Sequence, residues 1–137
     1  MLETTWSSLL GLPEFLVYFV LSLVWLVLFM RLYTWITPHH EWNLIRANNS
    51  AAALAFVGAL IGFALPLHSA ITHSLSLLDC AIWGAIALIV QVMAFGLLKL
   101  LLPQLSERIQ QGEMATGIFC AGFSITIGII NAACMSY

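Results

Sequence analysis

Apolar positions in this chain fall in long unbroken blocks, not at the spacing of a surface helix. Four such blocks stand out, running roughly from Phe15 to Ile36, Ser50 to Ile71, Cys80 to Leu102 and Met114 to Met135. Each is roughly 22 residues long, or about 33 Å as a helix, which suits a hydrocarbon core about 30 Å thick. Lipid does not tolerate unpaired backbone groups, so the choice is between helices and a closed barrel, and these blocks are about twice too long for barrel strands. The pattern predicts an all-α membrane protein with four transmembrane helices. An N-terminal tail (residues 1–14) precedes a four-helix transmembrane domain (residues 15–137).

Composition narrows the class further. Of 137 residues, 62% are hydrophobic and 7% charged, against about 25% charged in a soluble domain. A soluble domain of about this size leaves roughly a third of its unfolded-chain area exposed, too much for so few polar groups to cover. The partner implied is the lipid bilayer. A net charge of −2 with four scattered Lys and Arg offers no basic face, so nucleic acid is not expected. The first block follows "MLETTWSSLLGLPE", which has two glutamates and no basic residue, and it is too long for a signal-peptide core, so it is expected to be retained.

The basic residues set the direction. Arg31 and Arg46 lie at and after the end of the first block, Lys99 and Arg108 at and after the end of the third, and the N-terminus, "THSLSLLD" and the C-terminus have none. By the positive-inside rule the first and third loops are cytoplasmic and both termini periplasmic.

The same hairpin is expected twice. A shift of 64 residues pairs Asn48 with Gly112, Ala51 with Ala115, Gly58 with Gly122 and Ile61 with Ile125. This suggests two tandem hairpins in parallel repeat, over about 15–72 and about 79–137. In each cytoplasmic loop a proline marks a helix boundary, with Thr37 a candidate N-cap before Pro38. Trp42 with Ile45, and Leu105 with Ile109, stand at helical spacing and are expected to lie on the membrane interface. Asn48 and Gly112 suit a left-handed stop, and Asn49 or Ser50 can cap the second span.

The second and fourth spans carry rows of small residues, with Gly58, Gly62, Gly122 and Gly128 the expected packing positions, and "GALIG" is a GxxxG motif. Small residues let helix backbones approach closely, which drives association where hydrophobicity cannot. The bulky first span is expected to face lipid, with Tyr33 and Trp35 in the aromatic belt and Arg31 reaching the headgroups.

Candidate chemistry is sparse. Gln91 and Asn131 are amides within spans and need partners; they read as interhelical contacts or as steps on a polar pathway. His68, His73 and Asp79 gather near the outer boundary, as solvated loop residues or a proton or cation relay. Pro66 is expected to bend the second span and release a carbonyl able to bind an ion or a serine hydroxyl. His39, His40, Glu41, Arg46, Glu107 and Arg108 are the exposed loop residues expected to make cytoplasmic contacts. No metal site is expected, because adjacent His39 and His40 do not aim at one ion, and no cofactor or catalytic group stands out. Cys80, Cys120 and Cys134 read as small apolar residues, with a disulfide between Cys80 and Cys134 as the alternative.

The segments "ITPHHEWNLIRANNSAAALAF", "GFALPLHSAI", "WGAIALIVQ" and "INAACM" together resemble the YjfL family of small bacterial inner-membrane proteins, a domain of unknown function occurring as a repeated two-helix unit. The resemblance covers nearly the whole chain from about residue 15. It implies a multi-pass inner-membrane protein with four helices and supplies no catalytic residue. By association with neighbouring phage-shock-type membrane-stress proteins, it also implies a role in envelope integrity. Two functions are then expected in competition. One is a non-enzymatic, homo-oligomeric membrane component whose cytoplasmic loops recruit a membrane-stress partner. The other is a small oligomeric channel or ion conduit, with Gln91 and Asn131 on its pathway.

Overall fold

The blocks of apolar sequence form the helices their length demands. The computed structural model describes residues 1–37 and 40–135. In chain order the elements are α1 (Leu2–Leu9), α2 (Leu12–Ile36), α3 (Glu41–Arg46), α4 (Ser50–His73), α5 (Leu77–Leu101), α6 (Leu105–Gln110) and α7 (Met114–Ala133), with no strand among the described residues. Among the described residues four stretches are long and apolar enough to cross a membrane: Leu2–Ile36, Ser50–His73, Leu77–Leu101 and Met114–Ala133. The N-terminal tail is helical as α1 and leads into α2 through a turn at Leu10 and Gly11.

Packing centres on α4 and α7. Ala51 lies against Gly117, Gly58 against Ala121, and Gly62 against Ser124 and Gly128. Residue numbers rise together along both helices, so α4 and α7 run parallel. A Cβ on Gly117 would stand 2.8 Å from Ala51 Cα, and one on Gly128 would stand 2.8 Å from Gly62 Cα. Side chains there would force the backbones apart, and that close approach is the association force available in lipid. Gly122 is different: it is exposed, with nothing within 4 Å of a Cβ placed on it. A shift of 64 aligns it with Gly58, but α7 turns a different face toward α4, made of Gly117, Ala121, Ser124 and Gly128.

The first span is peripheral. Only Phe29 and Tyr33 of α2 are buried, and they stack into an aromatic cluster: Phe29 on Phe63 at 4.7 Å, and Tyr33 on Phe56 at 5.3 Å and Phe95 at 5.2 Å between ring centroids. Tyr33 is therefore a core residue, not a member of the aromatic belt. Trp35, at 82% exposure, has the outward position expected for it.

The two loops share their construction. α3 and α6 are six residues each, and both end in a left-handed residue, Asn48 at φ 67° and Gly112 at φ 78°. Asn49 then caps α4, accepting from Ala52 N at 3.0 Å. Leu105 and Ile109 do not lie on the interface: they are buried, and turn α6 into a plug under the bundle. Trp42 is half-exposed and packs edge-on against Phe56 at 5.2 Å. Thr37 ends α2 instead of capping the next helix, since its hydroxyl donates to Tyr33 O at 2.9 Å. The extended residue preceding α3 is His40; Pro38 lies outside the described residues. At Gln104, φ of 59° places a non-glycine residue in the left-handed region before α6, which costs about 1–2 kcal/mol.

Candidate functional site

Three polar side chains within the bundle bond to the backbone of a neighbouring long helix. Gln91, on the inner face of α5, is 4% exposed and donates through Nε2 to Ser124 O on α7 at 3.3 Å. Asn131, 8% exposed, donates through Nδ2 to Ala87 O on α5 at 3.5 Å. Ser69 on α4 donates to Ala132 O on α7 at 3.1 Å. These bonds tie α4, α5 and α7 together across the long seam. Both amides are buried within the chain. Two polar atoms deep in the bundle, Trp25 Nε1 and Gln91 Oε1, have no hydrogen-bond partner among the described residues.

A cavity with about 10 Å³ of room for the centre of a water molecule adjoins Gln91, walled by Phe29, Tyr33, Ala59, Phe95 and Ser124. It also reaches Ile36. There Lys99 donates from Nζ to Ile36 O at 3.3 Å and lies 5.2 Å from the centre of the Phe95 ring. A cation over an aromatic face gains about 0.5–1 kcal/mol at an exposed site.

Pro66 lies within α4, which continues through it to His73. Lacking an N–H, it leaves Gly62 C=O without its helical donor. That carbonyl faces Gly128, where the α-hydrogen occupies the direction a Cβ would take, an arrangement suited to a weak Cα–H···O contact.

His68, His73 and Asp79 lie where α4 ends and α5 begins, at the end of the bundle away from α3 and α6. His68 is exposed. His73 Nδ1 lies 3.0 Å from Ser69 O and 3.2 Å from Thr72 Oγ1. Asp79 belongs to a capping box: Ser76 Oγ accepts from Asp79 N and Asp79 Oδ2 accepts from Leu75 N, both at 3.1 Å. This is a structural use of the carboxylate.

At the opposite end, Asn49 Nδ2 donates to Ile109 O at 2.9 Å and Gln110 O at 3.3 Å, joining the two loops. His40, Arg46 and Glu107 are exposed there. Arg108 is half-buried, with Nε 3.9 Å from Glu113 Oε2. Glu41 departs from expectation, being buried at 2% exposure where α3 tucks under the bundle. His39 lies outside the described residues. Among the described residues no three His, Cys, Asp or Glu side chains converge as a metal site, and Cys80, Cys120 and Cys134 are free thiols, with no Cys80–Cys134 disulfide.

Sequence reasoning missed the tie from Asn49 to α6, the Ser69 bond, and the fit of Gly84 to Trp25, whose Nε1 would stand 2.8 Å from a Cβ on that glycine. Only the Asn49 tie had a usable signal, an amide at a cap position with donors to spare.

Comparison with known proteins finds relatives over nearly the whole chain. Residues 7–135 match the family model described as Domain of Unknown Function (DUF350). The chain is 42% identical over 127 residues to the UPF0719 inner membrane protein YjfL of Escherichia coli (strain K12), covering 93% of this chain and 96% of that protein. It is 25% identical over 124 residues to the UPF0719 transmembrane protein YshE of Bacillus subtilis (strain 168), covering 89% of this chain and 92% of that one. No solved structure matches the chain.

Proposed function

The chain belongs to the DUF350 family, and from that premise we propose that it is a non-enzymatic component of the bacterial inner membrane. In this reading it forms a homo-oligomer whose cytoplasmic end recruits a partner in the envelope or membrane-stress response. The observation that carries the reading is the inward burial of Gln91 and Asn131, each bonded across the α5–α7 crossing. Amides that bond across the crossings of their own helices support a scaffold. The groups left for a partner are His40, Arg46 and Glu107, brought to one end by the bond between the two loops.

The test is a photo-crosslinking amino acid at Arg46 or Glu107 in intact cells. The expected result is capture of a distinct protein together with a second copy of this chain. Capture of lipid and self alone would remove the recruiting role. The competing conduit reading draws on the same two amides, and their burial within the chain counts in favour of the scaffold. Proteoliposomes carrying the protein are expected to show no ion flux above empty vesicles, and a flux abolished by Gln91→Leu would favour the conduit.

A further inference from the structure

Gln91 raises a question that the bundle's own hydrogen bonds do not answer. Its Nε2 donates to Ser124 O at 3.3 Å, and this fixes the amide's orientation. Turning it over would set Oε1 against the Ser124 carbonyl, two acceptors face to face. Oε1 must then point elsewhere, and it is buried with no partner among the described residues. A buried acceptor left unmade costs about 1–3 kcal/mol, so a site that supplies a donor is strongly favoured.

Beside Gln91 lies the cavity walled by Phe29, Tyr33, Ala59, Phe95 and Ser124, with about 10 Å³ for a water centre. One water needs about 10–15 Å³ by that measure and two to four polar partners. Gln91 Oε1 is one, and the hydroxyl-bearing Ser124 and Tyr33 line the same space. The surroundings are neutral, with no carboxylate on the wall, so a cation would be desolvated without an opposing charge. The volume excludes an acyl chain. Supply is short-range, because the lining runs to Ile36 and Phe95, the two residues that Lys99 contacts at the basic end.

We infer that this cavity is an internal hydration site, in which one water molecule donates to Gln91 Oε1 and joins α5 to the walls contributed by α2, α4 and α7. This is independent of the scaffold reading above. It makes Gln91 a two-sided joint, bonded directly to the Ser124 carbonyl through Nε2 and through water at Oε1.

The experiment uses the full-length protein in lipid nanodiscs, with water as the probe. Water-selective NMR should show magnetisation transfer from water to the Gln91 side-chain amide protons. The signal should vanish in Ala59→Val, which fills the cavity, while the backbone spectrum away from the site is retained. An experimental density map of the wild type should show an isolated oxygen peak about 2.7–3.2 Å from Gln91 Oε1. Absence of both the transfer and the peak overturns the inference, as does a direct bond from the Tyr33 or Ser124 hydroxyl to Oε1. Should Ala59→Val fail to fold, the wild-type transfer and density decide alone.

Discussion

Gly122 and Gly128 sit on the same helix, yet a methyl group added to each meets opposite fates. At Gly128 it would strike the Gly62 backbone, whereas at Gly122 it enters open space. Gly128→Ala is expected to cost about 1–3 kcal/mol as overpacking between two rigid backbones. Gly122→Ala should be neutral or stabilise by up to about 1 kcal/mol through helix propensity. Thermal unfolding in detergent should show a lower Tm for the first and an unchanged or higher Tm for the second; equal responses would deny the seam its role. The contrast also marks what sequence could convey at this scale. That glycine and alanine recur in α4 and α7 is plain from the residues, because small side chains in long apolar blocks have few other uses. Which of them face inward was not, since a 64-residue shift preserves order along the chain but not rotation about a helix axis. Tyr33 and Glu41 eluded prediction for the same reason: hydropathy reports depth in the membrane, and burial also depends on azimuth.

The short helices show how an element can do more than its local sequence advertises. The left-handed stops at Asn48 and Gly112 were legible because few residue types adopt positive φ cheaply. The inward turn of α6 was not, because Leu105 and Ile109 would serve an interfacial helix equally well. Asn49 joins the two elements, capping α4 with Oδ1 and holding the Ile109 carbonyl of α6 with Nδ2. An N-cap alone is worth about 0.5–2 kcal/mol, and a second hydrogen bond adds about 0.5–1.5 kcal/mol. Asn49→Asp keeps the acceptor and loses the donor, so it separates the two roles. Asn49→Ala is expected to lower Tm more than Asn49→Asp, and only the Ala variant should speed hydrogen exchange in the first turn of α4. Both variants should loosen α6. If Asn49→Asp matches the wild type in stability and α6 exchange, the tie between the loops carries no energy.

For the molecule as a whole, the decisive arrangement is that α4 parallels α7 while Lys99 reaches the C-terminal end of α2. Arg31, Arg46, Lys99 and Arg108 therefore gather at one end of the bundle. We propose that this end is cytoplasmic, with both termini periplasmic, following the bias of basic residues in membrane loops. Reporter fusions should give periplasmic activity at both termini, and cysteines placed at Arg46 and Arg108 should react with an impermeant thiol reagent only after the cells are opened; labelling of either in intact cells would refute it. Four apolar spans could be counted from the amino acids, yet the partnership of the second with the fourth belongs to three dimensions. That partnership imposes a timetable on biogenesis. Because α7 leaves the ribosome after α5 and α6, the glycine face of α4 must wait in the lipid while those helices are being made. A newborn chain is most open during that interval to capture by a chaperone or to mispairing with a sibling.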